Sequence, residues 1–182
     1  MASYYYLIAS LPMLRFDDGS PMTEECFLRL CHQQVKTGDM ALLRAVSLDG
    51  RGKPSSDSMG FIRSWQGFLT AVHNEMNTQR AKKLARDSQK YKNLKAKDRL
   101  ISETVREALN AGTPLQGELI LLRFYWKYIE QLAGPDIFSL KYLLAYHVEL
   151  QILARRNLFT QMEGNAEFKR LFTNLQTTIK SI

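Results

Sequence analysis

Residues 115–132, LQGELILLRFYWKYIEQL, decide the fold class. Laid on a helix they are apolar nearly all round, and such a helix belongs at the centre of a bundle. Gly134 and Pro135 end it, because glycine accepts the left-handed backbone of a helix stop and proline lacks the amide to continue. Asp136 or Ser139 then starts a second helix, SLKYLLAYHVELQILARRNLF, over residues 139–159. Its inward face carries Leu140, Leu143, Leu144, Val148 and Leu150. Gly164 and Asn165 break it, and Phe168, Leu171, Phe172 and Leu175 mark a final amphipathic helix.

Upstream, residues 68–111 contain neither Gly nor Pro and are mostly good helix formers. Phe61, Ile62, Trp65, Phe68, Leu69, Val72 and Met76 form a wide apolar stripe that must face a core. The stripe thins to Leu84, Tyr91 and Leu94 among lysines and arginines, then returns at Ile101, Val105, Ala108 and Leu109. As one helix, residues 58–111 would be about 80 Å long. A compact chain of this size has a radius of gyration of about 16 Å. Either the middle projects into solvent, or the chain folds back as a hairpin near residues 93–98, where Asp98 can cap a second helix.

Residues 47–57, with Gly50, Gly52, Pro54 and three serines, read as a loop. Asp39 is placed to N-cap a short helix through Leu42, Leu43 and Val46. Ser20 or Thr23 can cap a helix whose first turn holds Glu24 and Glu25. Residues 4–14 are extended or helical, and nothing else has the alternation that requires a sheet. The expectation is an all-α, irregular multi-helix bundle forming one domain over 1–182. Residues 77–100 are expected as a basic, solvent-exposed extension, either a long projecting helix or a helical hairpin.

Composition agrees with a globular chain. Of 182 residues, 45% are apolar and 24% charged, and a chain of this mass buries roughly 70% of its unfolded surface. Two cysteines cannot build a disulfide framework, which favours a reducing compartment. No apolar run reaches the roughly 18–20 residues of a membrane span, and the opening YYYLIASLPML lacks a basic signal-peptide start. A cytoplasmic protein is expected.

The net charge of +7 resides in one stretch. Arg80, Lys82, Lys83, Arg86, Lys90, Lys92, Lys95, Lys97 and Arg99 face only Asp87 and Asp98, and the remainder of the chain is balanced. Three readings fit: a solvated helix face with no partner, a surface for an acidic protein or anionic lipid headgroups, or a nucleic-acid contact. Against the last, Tyr91 is the sole aromatic residue interleaved with the cations, and no nucleic-acid-binding motif accompanies them.

Catalytic and metal chemistry finds little to work with. Cys26, Cys31 and His32 are the one local ligand-like group, yet residues five apart on a helix diverge by about 140°. They predict no metal site. His73 and His147 lie beside apolar faces and read as hydrogen-bonded structural residues. No nucleophile elbow, HExxH or phosphate-loop spacing occurs, and neither an enzyme nor a cofactor is expected. Glu118, Arg123, Lys127 and Glu130 interrupt one apolar helix, and Glu149, Arg155 and Arg156 the next. Desolvating a charge costs several kcal/mol unless it is paired. These residues are therefore inter-helix ion pairs or one wall of a partner surface.

Two stretches carry a family resemblance. YYYLIASLPMLRFDD (4–18) and DIFSLKYLLAYHVELQILARRNLF (136–159), the latter followed by Glu163-Gly164 and Phe168, resemble a bacterial family encoded alongside V/A-type ATPase subunits. The second stretch is also loosely similar to a helix bearing tyrosine, glutamate and arginine in the stalk adaptor of V-type ATPases, called d in vacuoles. That adaptor is all-helical and seats the central stalk on the membrane ring. The resemblance implies a non-catalytic connector, peripheral at the cytoplasmic face of the inner membrane. Its partners would be stalk and ring subunits, and Tyr146, Glu149, Arg155 and Arg156 would lie on the docking helix. Two features depart from the stalk adaptor: no internal repeat matches its three lobes, and the basic stretch 80–99 has no counterpart.

Overall fold

The computed structural model describes residues 4–50, 59–86, 98–158, 170, 172 and 173. Seven helices of six residues or more and no strands occur among them, so the fold is all-α. They are α1 (Tyr5–Ser10), α2 (Glu24–Gln34), α3 (Thr37–Ala45), α4 (Met59–Lys83), α5 (Arg99–Leu109), α6 (Pro114–Ala133) and α7 (Leu140–Leu158).

Helices α6 and α7 form the central pair. Gly134, at φ +72°, turns the chain between them, and Arg155 near the end of α7 meets Glu118 near the start of α6, so the two are antiparallel. The N-terminal helices cover one side through contacts of α2 and α3 with α7, while α4 and α5 cover α6. In α7 the residues from Leu143 to Val148 are all buried, together with Leu150, Ile152 and Leu153. This helix, rather than α6, is the more completely enclosed of the pair.

Trp65 centres the α4 side. It is fully buried, its ring meets Phe68 and Tyr125, and its indole N–H donates to the Ser47 carbonyl at 2.9 Å. Two further bonds fasten the same loop: Gln66 Nε2 donates to the Gly50 carbonyl at 3.1 Å, and the Leu48 amide donates to Gln151 Oε1 at 2.6 Å. Gly50 itself has φ +67°, and a Cβ there would lie 2.9 Å from the Leu69 side chain.

Two helix starts follow their sequence signals: Thr23 accepts from the Cys26 amide and Asp98 from Leu100. Thr113, not singled out in the sequence, caps α6 by accepting from the Gln116 amide. Asp39 does not cap α3, which begins at Thr37 after Lys36. Its carboxylate instead accepts the Tyr4 hydroxyl, tying α3 to the N-terminal segment. Residues 5–10 are helical, which resolves the open reading of the first segment.

Residues 59–83 and 99–109 are two separate helices, not one. Nor do they form an antiparallel hairpin. Lys83 at the end of α4 donates to the Leu109 carbonyl at 3.0 Å and to Asn110 Oδ1 at 3.1 Å, at the end of α5. Phe68, about four turns earlier in α4, shares a cavity with Asp98 and Leu100 at the start of α5. Helices α4 and α5 therefore run side by side in the same direction. Thr78 and Ala81 are buried, so residues 77–83 belong to the body and do not extend from it. Residues 87–97 and most of the expected final helix lie outside the described residues; of the latter, Arg170, Phe172 and Thr173 are described, and all three are helical.

Candidate interaction surface

The basic stretch is described at five of its nine cations; Lys90, Lys92, Lys95 and Lys97 lie outside the described residues. All five are exposed. Lys83 donates to the last carbonyl of α5, that of Leu109, and to the Asn110 side chain, and Arg99 pairs with Glu103 at 2.7 Å, one turn along the same helix. Arg80, Lys82 and Arg86 make no ion pair among the described residues and project into solvent. Their position at the C-terminal end of α4 is also favourable for its dipole, by some tenths of a kcal/mol each. The structure thus separates three outward cations from two that hold the chain together.

The four α7 positions divide more sharply. Tyr146 is only 2% exposed, and its hydroxyl donates to the Pro12 carbonyl at 2.8 Å. Its ring lies against Phe27. This corrects the expectation that it contacts a partner: a side chain closed in by α2 and the 11–14 segment has no surface to offer. Arg155 Nε donates to Glu118 at 2.6 Å, joining α7 to α6. Arg156 donates to the Asp18 carbonyl and lies 5.7 Å from the Phe16 ring centroid. Both arginines hold parts of this chain to one another, the first of the two alternatives for such charges.

Glu149 is half-buried and makes no hydrogen bond or ion pair among the described residues. Burial chiefly, and the nearby Glu130 carboxylate secondarily, push its pKa from 4.5 up to about 7. Glu130 itself accepts from the Trp126 indole at 2.8 Å. Of the four α7 positions, Glu149 alone makes no hydrogen bond or ion pair to a described residue.

Other groups singled out by sequence have structural places. His147 is 1% exposed, with Nδ1 2.9 Å from the Leu43 carbonyl and Nε2 2.8 Å from Glu24 Oε1, the hydrogen-bonded role expected of it. Cys31 is fully buried, and desolvation raises its thiol to about 12. His73 departs from expectation: it is exposed, without a described hydrogen bond.

Sequence reasoning missed the cluster around Phe16. Arg123 pairs with Asp17 at 2.5 Å and sets its guanidinium 4.6 Å from the Phe16 centroid, beside Arg156. Trp126 meets the same ring edge-on at 5.7 Å. The signal was the string Arg15-Phe16-Asp17-Asp18, an aromatic residue followed by two acids, set against arginines on two later helices. Comparison of the chain with protein-family models, curated proteins and solved structures finds no match.

Proposed function

We propose that this chain is a non-catalytic adaptor of a V/A-type ATPase, linking the central stalk to the membrane ring. What supports the reading is a juxtaposition. The two stretches that carry the family resemblance are more than a hundred residues apart, yet they form one packed unit. The Tyr4 amide donates to the Phe138 carbonyl at 3.1 Å, Tyr5 lies against Phe138, and Tyr146 and Arg156 bind the Pro12 and Asp18 carbonyls. A resemblance confined to residues that fold together is what a shared structural unit would leave in the sequence.

On this reading the chain is peripheral at the cytoplasmic face of the membrane, and Arg80, Lys82 and Arg86 meet an acidic protein surface or anionic headgroups. The test is a tagged pull-down from native membranes solubilised in mild detergent, with nuclease present, read by mass spectrometry. Catalytic, stalk and ring subunits in fixed ratio are expected. Recovery of none of them refutes the proposal.

A second reading rests on the same outward cations, which also suit a polyphosphate backbone. As a nucleic-acid binder through residues 80–99, the chain would show affinity falling steeply between about 50 and 200 mM salt. A gel shift without retardation at low salt removes this alternative.

A further inference from the structure

Helix α6 is apolar beyond the face it gives to α7. Two cavities, of about 550 and 520 Å³, share Glu107, Leu119 and Ile120, and so form one open groove between α5 and α6. Its floor is the half-buried Leu119, Ile120, Phe124 and Tyr128, and the exposed Leu100 stands at one end. From Gln116 to Gln131 the groove runs about 22 Å along α6.

Its walls differ in charge. The α5 side carries Asp98 and Glu107, and the α6 side Arg123 and Lys127. Arg123 already holds Asp17. The basic wall is therefore weaker than the acidic one.

The sequence after α7 supplies a segment of matching form. Phe168, Leu171, Phe172, Leu175, Ile179 and Ile182 recur at spacings of three and four, which on a helix makes one apolar stripe about 21 Å long. Of these, Phe172 is described; it is helical and 51% exposed. Lys169 and Lys180 flank the stripe on one side and Glu167 on the other. On a helix the two lysines are about 17 Å apart, and Asp98 and Glu107 about 14 Å.

Direction decides whose segment fits. Phe68 of α4 lies beneath the groove. Given that arrangement, a right-handed helix sets its lysine flank on the α5 wall when it runs against α6, entering at Asp98 and Gln131. The chain's own segment starts from the opposite end, because α7 finishes where α6 begins. We infer that the groove receives residues 168–182 of a second copy, in a symmetric dimer that exchanges two such helices. Lys169 then comes level with Asp98, and Lys180 with Glu107. An enclosed aromatic side chain buries about 150–250 Å². Phe168 and Phe172, entered twice and counted on both surfaces, reach the roughly 1,200–2,000 Å² of a stable interface.

Sedimentation equilibrium of the full chain tests this. A dimer mass is expected at micromolar concentration. Phe172→Glu should weaken dimerisation at least about a hundredfold, as loss of a central aromatic anchor does. Glu107→Lys, at an exposed position that leaves the fold intact, should weaken it about tenfold, because the altered contact occurs twice. Adding Lys180→Glu to that variant should restore it. A monomer at every concentration overturns the inference and leaves the groove to a different protein. A dimer that Phe172→Glu leaves intact overturns it too. So does failure of Lys180→Glu to restore the Glu107→Lys loss, because the segment would then lie elsewhere.

Discussion

At Glu149, α7 carries a carboxylate into partial burial, with Glu130 and the phenols of Tyr142 and Tyr146 nearby and no offsetting cation among the described residues. Below about pH 4.5 the folded and unfolded chains both hold this proton, and the site costs nothing. Between 4.5 and about 7 the unfolded chain releases it while the folded chain retains it, so stability falls as pH rises through that window. Glu149→Gln should match the parent near pH 4 and exceed it at pH 8 by on the order of 2 kcal/mol in urea unfolding. A constant difference at both pH values would assign the effect to packing. Sequence alone marks Glu149 as a charge within an apolar helix. It gives no sign that Arg155 and Arg156, the nearest cations along α7, turn instead to Glu118 and Asp18. Which charge lacks a partner depends on where other helices lie, and spacing along one helix does not contain that.

Helix α4 stops without glycine or proline. Ala85 takes φ +51°, and the Arg86 amide returns to the Ala81 carbonyl at 2.9 Å, the closing bond of a left-handed helix cap. An alanine strains to hold that backbone, about 1 kcal/mol above glycine, so Ala85→Gly should raise stability by about 0.5–1 kcal/mol in thermal or urea unfolding. Gly117 is the opposite case: a Cβ there would fall 2.5 Å from the Ala108 backbone carbonyl, where α5 ends against α6. Gly117→Ala should destabilise by about 1–3 kcal/mol, measured the same way, because backbone must move to admit the methyl group. These two positions explain what the sequence conveyed of the elements. Apolar periodicity located α4, α6 and α7 because each presents a stripe or an all-round surface to the core. A break before α5 was one of two open readings, but the stop of α4 at Lys83 was hidden because its terminator is a residue that otherwise favours helices. Thr23, one of two candidate caps, and Asp98 were readable because a cap is a local hydrogen bond.

Across the whole molecule, α7 is the member to which the N-terminal helices and α6 are fixed, and its arginines are two of the fastenings. Arg155→Ala with Arg156→Ala should therefore lower stability by about 1–2 kcal/mol, because the Glu118 pair and the bond to Asp18 are both lost. Any loss of complex assembly in that variant must be read beside its unfolding curve. Lys82→Glu with Arg86→Glu should leave the unfolding curve within about 0.5 kcal/mol of the parent, and so isolates the outward charges. The all-α class, the central α6–α7 pair and the outward position of Arg80, Lys82 and Arg86 were all present in pattern and charge. The relative direction of α4 and α5 was not, because helix polarity within a pair is decided by contacts distant in sequence. That shared direction turns the chain between them into a ruler. With the end of α4 beside the end of α5, residue 98 stands one α5 length, about 18 Å, from residue 86. At about 3.3 Å per residue, removing five residues from 87–97 leaves enough reach and should preserve the cooperative unfolding transition. Removing all eleven leaves a single peptide link for the same gap and should detach α5 from α4, exposing the apolar face of Ile101 and Val105 to a hydrophobic dye.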